Sequence, residues 1–267
     1  MLCHPERSEG SRGLNWILRC AQNDNHRHFM NAIKTIAWRE FRAYFTSPIA
    51  YVYLITFLVA VNWIFFRTFF LIGQADMRTF FEMMPWVFLF FVPAVAMGKW
   101  AEERKLGTLE ILFTLPLRDS QIVAGKFAAG LMLIAAALLL TLPAAFTVSL
   151  MGNMDWGPVI GGYLGLLFLG GAYLAVGLFV SAFTDNQIIA FIGGVALSFF
   201  LLIIGTPLVV GGATGLFSQA MQYAGLGTHF LSIARGVIDS RDIVYYLSVI
   251  WFFIYLNLEI LRARARV

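Results

Sequence analysis

Apolar runs recur along this chain after Met30, and they leave it few places to fold other than a lipid bilayer. Ile49 to Ile72, Phe81 to Met97, Phe127 to Leu150, Pro158 to Phe183, Gln187 to Val210 and Ile243 to Leu261 are the runs in question. Each comes close to the roughly 20 residues that an α-helix needs to cross the hydrocarbon. Of the 267 residues 60% are hydrophobic and 13% charged, where soluble domains carry about 25% charged residues. The expected fold is therefore an all-α membrane protein with six transmembrane helices.

What precedes the first run divides into two parts. Residues 1–29 are polar, and their one apolar patch, Leu14 to Leu18, is too short for a signal-peptide core of about 7–15 residues. Cys3, Cys20, His26 and His28 match no zinc-site spacing. This segment resembles translated interspersed repeat DNA, so it is expected to be a disordered or spurious extension, with Met30 the true start. Both cysteines lie in it, so no disulfide can form within the body of the chain. Asn31 to Ser47 differs. Ile33, Ile36, Ala37, Phe41, Tyr44 and Phe45 recur at helical spacing with Lys34, Arg39 and Arg42 among them. That pattern predicts an amphipathic helix in the membrane interface, with its basic groups toward lipid headgroups. Ser47-Pro48 ends it and turns the chain into the bilayer.

Basic residues set the expected orientation. Lys34, Arg39, Arg42, Lys99, Arg104, Lys105, Arg118, Lys126, Arg262, Arg264 and Arg266 fall on one side of a six-span topology. Only Arg67, Arg78, Arg235 and Arg241 fall on the other. The positive-inside rule puts the first group, and both termini, in the cytoplasm. The formal net charge of +4 then faces anionic lipid, and nucleic acid is not needed as a partner.

Catalytic patterns are missing. There is no H-E-x-x-H and no G-x-S-x-G, and His229 is the only histidine after residue 29. Gly98-Lys99 and Gly125-Lys126 lack the upstream glycine and following Ser/Thr of a phosphate loop, so the chain does not bind ATP by that means. No metal or cofactor is expected in this chain. Asn62 and Arg67, within the first run, are candidate pathway or interhelical polar residues. Glu259 precedes Arg262 by three residues and predicts a local ion pair. Gly161, Gly162, Gly165, Gly170, Gly171 and Gly177 give the fourth run a smooth side for close helix packing. Pro93, Pro143 and Pro207 predict kinks. Gly211 to Asp242 is too apolar for a free loop. Its glycines divide it into two short helices, Leu216 to Ala224 and Thr228 to Val237, expected to re-enter the membrane from the outer face.

One long charged segment interrupts the apolar body, Lys99 to Lys126. Glu102, Glu103, Arg104 and Lys105 extend the second run. Gly107 breaks that helix. Thr108 can cap a new short helix, with Glu110 near its positive end. Leu109, Leu112 and Phe113 then share one apolar face, and Pro116 stops it. A short helix with an apolar face and a charged rim suits a groove on a partner protein.

The stretch Glu102-Glu103-Arg104-Lys105-Leu106-Gly107-Thr108-Leu109-Glu110, with Pro116 downstream, resembles the permease subunit of type-2 ABC exporters. Ser47-Pro48-Ile49 and Arg235-Gly236-Val237-Ile238-Asp239 look like those permeases linked to gliding motility and to nitrous-oxide-reductase maturation. The resemblance covers Met30 to Val267. It implies a bacterial cytoplasmic-membrane protein that acts as a dimer with a second copy or a paralogue. It also implies a separate ATPase subunit that binds ATP and Mg, so this chain would not itself be an enzyme. Glu102, Glu103, Gly107, Thr108, Leu109, Glu110, Leu112, Phe113 and Pro116 would couple the two. The alternative expectation is a non-transporting membrane scaffold that anchors a motility or maturation complex.

Overall fold

The computed structural model describes residues 30, 32–46, 48–73, 76–107, 118–152, 154–211, 215–236 and 239–265. Those residues are helical nearly throughout, and no strand occurs among them. In chain order the helices are α1 (residues 32–46), α2 (Pro48–Ile72), α3 (Arg78–Ala96), α4 (Gly98–Lys105), α5 (Asp119–Leu139) and α6 (Leu142–Met151). They continue with α7 (Trp156–Ser181), α8 (Gln187–Ile203), α9 (Pro207–Val210), α10 (Leu216–Ala224), α11 (Leu226–Ala234) and α12 (Ser240–Ala265). The extension 1–29 lies outside the described residues.

The bundle is built around α7. This helix packs on α3, α5, α8, α11 and α12, and most of it is buried. Its glycines permit the approach. A Cβ on Gly177 would stand 2.6 Å from the Ala96 Cβ, and one on Gly162 would stand 2.5 Å from the Phe81 ring. Small residues that let backbones close up are what drives helix association where lipid is as apolar as leucine. Asp155 opens α7 by accepting from the Gly157 N–H at 3.0 Å, and Asn186 opens α8 by accepting from the Ile188 N–H at 2.9 Å. By contrast only a small share of α2 and α12 is buried.

Helix α1 is amphipathic as its pattern requires. Ala37 is buried, Ile36, Phe41, Tyr44 and Phe45 pack on the core, and Lys34, Arg39 and Arg42 are exposed. Glycine again sets the distance, since a Cβ on Gly125 of α5 would lie 2.6 Å from Ile36 Cγ2.

Among the described residues, five helical stretches are long and apolar enough to cross a membrane: Ala50–Leu71, Arg78–Lys105, Asp119–Met151, Trp156–Ser181 and Ser240–Arg264. The fifth apolar run departs from the sequence expectation. Its helix stops at Ile203 after 17 residues, and α9 is a separate piece. Thr206 adopts an extended ψ of 152°, as a residue before proline prefers. The third run is divided at Leu140 and Thr141, just ahead of Pro143. Thr141 Oγ1 donates to the Leu138 carbonyl at 2.7 Å and lies 3.1 Å from the Tyr163 hydroxyl. Of the two short helices before the last run, α10 has the expected bounds. The second begins two residues earlier than expected and ends ahead of Gly236, whose φ of +87° terminates it.

Candidate functional site

Most of the charged groups among the described residues gather at one end of the bundle, on both sides of residues 108–117. Helix α4 carries span two beyond the apolar zone. Met97 ends α3 by donating its N–H to the Pro93 carbonyl at 2.9 Å. The ladder of α4 then runs to Lys105, and Gly107, at φ +69°, turns the chain out of it. A left-handed backbone of that kind is routine for glycine and costly for other residues. On the far side, α5 starts at Asp119, where Gln121 Oε1 accepts from the Arg118 N–H at 3.0 Å.

An ion network joins three helices there. Lys99 of α4 donates to Glu40 Oε2 of α1 at 3.0 Å. Lys126 of α5 lies 3.6 Å from Glu40 Oε1 and also donates to Glu103 of α4. The Lys126 side chain is only 2% exposed, so these carboxylates neutralise a charge withdrawn from water. Aromatic faces complete its surroundings. Lys126 Nζ lies 5.0 Å from the Trp100 ring centroid, and Lys99 Nζ lies 4.0 Å from that of Tyr44. Burial opposes ionisation of Glu40, but Lys126 and Lys99 outweigh it and hold the carboxyl below its ordinary range. For Tyr44, burial and the Glu40 charge push the phenol up, so it stays a neutral hydroxyl.

Further contacts tie the same face to the rest of the bundle. The backbone N–H groups of Trp100 and Ala101 both donate to Ser181 Oγ at 3.3 Å, and Ser181 donates to the Met97 carbonyl at 2.9 Å. Arg104 pairs with Asp185 at 3.0 Å and donates to the Ala182 carbonyl at 2.7 Å. Arg262 near the end of α12 lies 3.6 Å from Asp119 and 3.2 Å from Glu259, the i,i+3 pair that the sequence indicated. Arg264 donates to the Phe183 carbonyl at 2.9 Å. The frame around residues 108–117 is thus fixed from α1, from the α7–α8 turn and from α12.

Of the residues singled out in the sequence, Glu102 and Glu103 lie on α4, and Gly107 stands just past its cap residue Leu106. Thr108, Leu109, Glu110, Leu112, Phe113 and Pro116 lie outside the described residues. Asn62 and Arg67 are far from this end, in an open groove on α2 lined also by Val59, Trp63, Phe66 and Phe70. The Asn62 amide donates to the Leu58 carbonyl of its own helix at 2.8 Å. Sequence reasoning missed Glu40, Lys126 and Ser181 as joints of the face. It also missed the partner of His229, which is Asp242. Among the described residues, no group of His, Cys, Asp and Glu is arranged to hold a metal ion.

A helical bundle with several membrane-length helices and a charged face at one end defines a multi-pass membrane protein. Residues 77–256 match the family model described as ABC-2 family transporter protein, and the chain belongs to that family. It is accordingly a membrane transport component of the ABC type. Among curated proteins no relative matches it.

Proposed function

We propose that this chain is the permease subunit of an ATP-driven exporter. It couples to a separate ATPase subunit through the segment from Glu102 to Pro116. The observation that carries this reading is the framing of residues 108–117. Gly107 ends α4 and Asp119 begins α5, while ion pairs fasten both helices to α1, to the α7–α8 turn and to α12. A segment presented from so firm a frame passes a push to the spans on either side of it, as shear or rigid-body coupling requires. In this reading Leu109, Leu112 and Phe113 form the apolar face that enters the partner, with Thr108 and Glu110 at the start of the helix. ATP and Mg are held by the partner, and α8 with α9 makes the fifth of six crossings. The exposed lengths of α2 and α12 face lipid or a second permease chain. The charged end lies in the cytoplasm and the protein in the bacterial inner membrane, as the distribution of Lys and Arg supports.

The test is co-purification. Replacing Leu112 and Phe113 together by Asp should abolish recovery of the ATPase subunit and leave the permease in the membrane fraction. Unchanged recovery would remove the docking assignment. The purified chain alone should hydrolyse no ATP, and hydrolysis by it would remove the reading of a non-catalytic subunit.

A further inference from the structure

Beneath α1, where the chain turns at Pro48 into α2, the bundle leaves a cavity of about 260 Å³. Ligand pockets commonly run about 300–1,000 Å³, so the space suits a small polar group rather than a whole lipid or nucleotide. One part of the wall is charged and polar, formed by Glu40, Tyr44, Lys99, Glu102 and Gln187. The other part is apolar, with Ala50, Tyr53, Ala94, Val95 and Leu133. Such a division suits a molecule that is ionic at one end and hydrocarbon at the other.

Two features of the polar wall are unspent within the chain. The Tyr44 hydroxyl is buried and has no hydrogen-bond partner. An unsatisfied buried hydroxyl is costly and invites an acceptor. The second is Glu102. Its carboxylate stands with the Gln187 amide beside Gly98, 3.2 Å and 3.8 Å respectively from where a Gly98 Cβ would be. Lys99 is engaged with Glu40, and no cation among the described residues pairs with Glu102. Glu40 is already neutralised by Lys99 and Lys126, so the wall offers one uncompensated carboxylate, that of Glu102, with a hydroxyl donor close by.

We propose that this cavity binds the headgroup of a phospholipid that carries a primary ammonium. The ammonium lies against the Glu102 carboxylate and the Gln187 carbonyl. The phosphodiester accepts from the Tyr44 hydroxyl and faces Lys99. The glycerol and the first acyl carbons follow the apolar wall into the bilayer. A primary ammonium has three N–H donors for these acceptors, whereas a quaternary one has none. The depth is right, because α1 is the interfacial helix and α2 the first to enter the hydrocarbon. A lipid seated there braces α1 against α3, α4 and α5. The assignment stands apart from the permease reading, since it concerns this chain without an ATPase.

Native mass spectrometry of the full chain, released from micelles doped with single lipids, tests it. The wild-type chain should retain phosphatidylethanolamine about tenfold over phosphatidylcholine and phosphatidylglycerol. Glu102→Gln and Tyr44→Phe, both close in shape to the native residue, should each lower that retention severalfold. Lys34→Gln, on the exposed side of α1, should not. Thermal midpoints and elution volumes establish that each variant is folded. Equal retention of the three lipids would overturn the proposal, as would undiminished retention by both folded cavity variants. If soluble phosphoethanolamine filled the site as well as the lipid does, the ligand would be a free amine and the lipid assignment would fall.

Discussion

His229 Nδ1 lies 2.6 Å from Asp242 Oδ1 and fastens α11 to the first turn of α12. The other ring nitrogen lies 3.0 Å from the Tyr223 carbonyl, so both face oxygen acceptors, and the ring stacks on Tyr245 at 4.0 Å. The arrangement is buried, and removing either partner strands the other. His229→Ala and Asp242→Ala should each destabilise the folded protein, with a coupling of about 0.5–3 kcal/mol in a double-mutant cycle. Chemical unfolding in mixed micelles measures it. Additive losses would mean that the contact contributes nothing.

Glu40 gives the charged end a pH dependence. Its carboxyl is held below the ordinary range by Lys126 and Lys99 despite burial. A lowered folded-state value means that the unfolded chain takes up the proton first as pH falls. The stabilisation is therefore complete above the ordinary glutamate range and is lost as pH drops through the lowered value. Glu40→Gln should be less stable than wild type at neutral pH, and the two should converge in acid. Thermal midpoints across an acidic pH series check this. A constant gap would exclude the charge as its origin.

Gly177 tests the packing of α7. Its missing Cβ would overlap the Ala96 Cβ at 2.6 Å, with the Pro93 Cα 3.6 Å away. Neither neighbour can swing aside. Gly177→Ala should cost about 1–3 kcal/mol, as overpacking does, and should loosen α3 from α7. Unfolding midpoints together with cross-linking between these helices would register it.

Gly107 is limited by backbone rather than by space. Nothing lies within 4 Å of the position its Cβ would take, yet its φ is +69°. Gly107→Ala should cost about 1–2 kcal/mol through the left-handed conformation alone, and Gly107→Asn less. If alanine proved as stable as asparagine, the turn would have another means of forming.

Much of the architecture can be read from local pattern. The amphipathic α1, the stop at Gly107, the smooth side of α7 and the bounds of α10 all follow from residues a few positions apart. The fifth run misleads, because its hydropathy continues past the point where Thr206 and Pro207 break the helix. The joints of the charged end are harder still. Glu40 and Lys99 are 59 residues apart, and their pairing depends on how α1 lies across α4 and α5. No periodicity within one helix contains that information. Ser181 likewise reads as a small residue at a helix end, and its three hydrogen bonds appear only when α4 is laid beside it.

The central position of α7 bears on how the protein is made. Helices α3 and α5 are synthesised first and meet the central helix they pack on only later. Until Trp156 to Ser181 arrives, the glycine-lined contacts that hold α3 have nothing to close on. Assembly in the membrane therefore waits on the fourth long helix, and the earlier ones must persist as separately inserted, loosely associated segments. Chains arrested before α7 should accordingly be the natural substrates of membrane quality control.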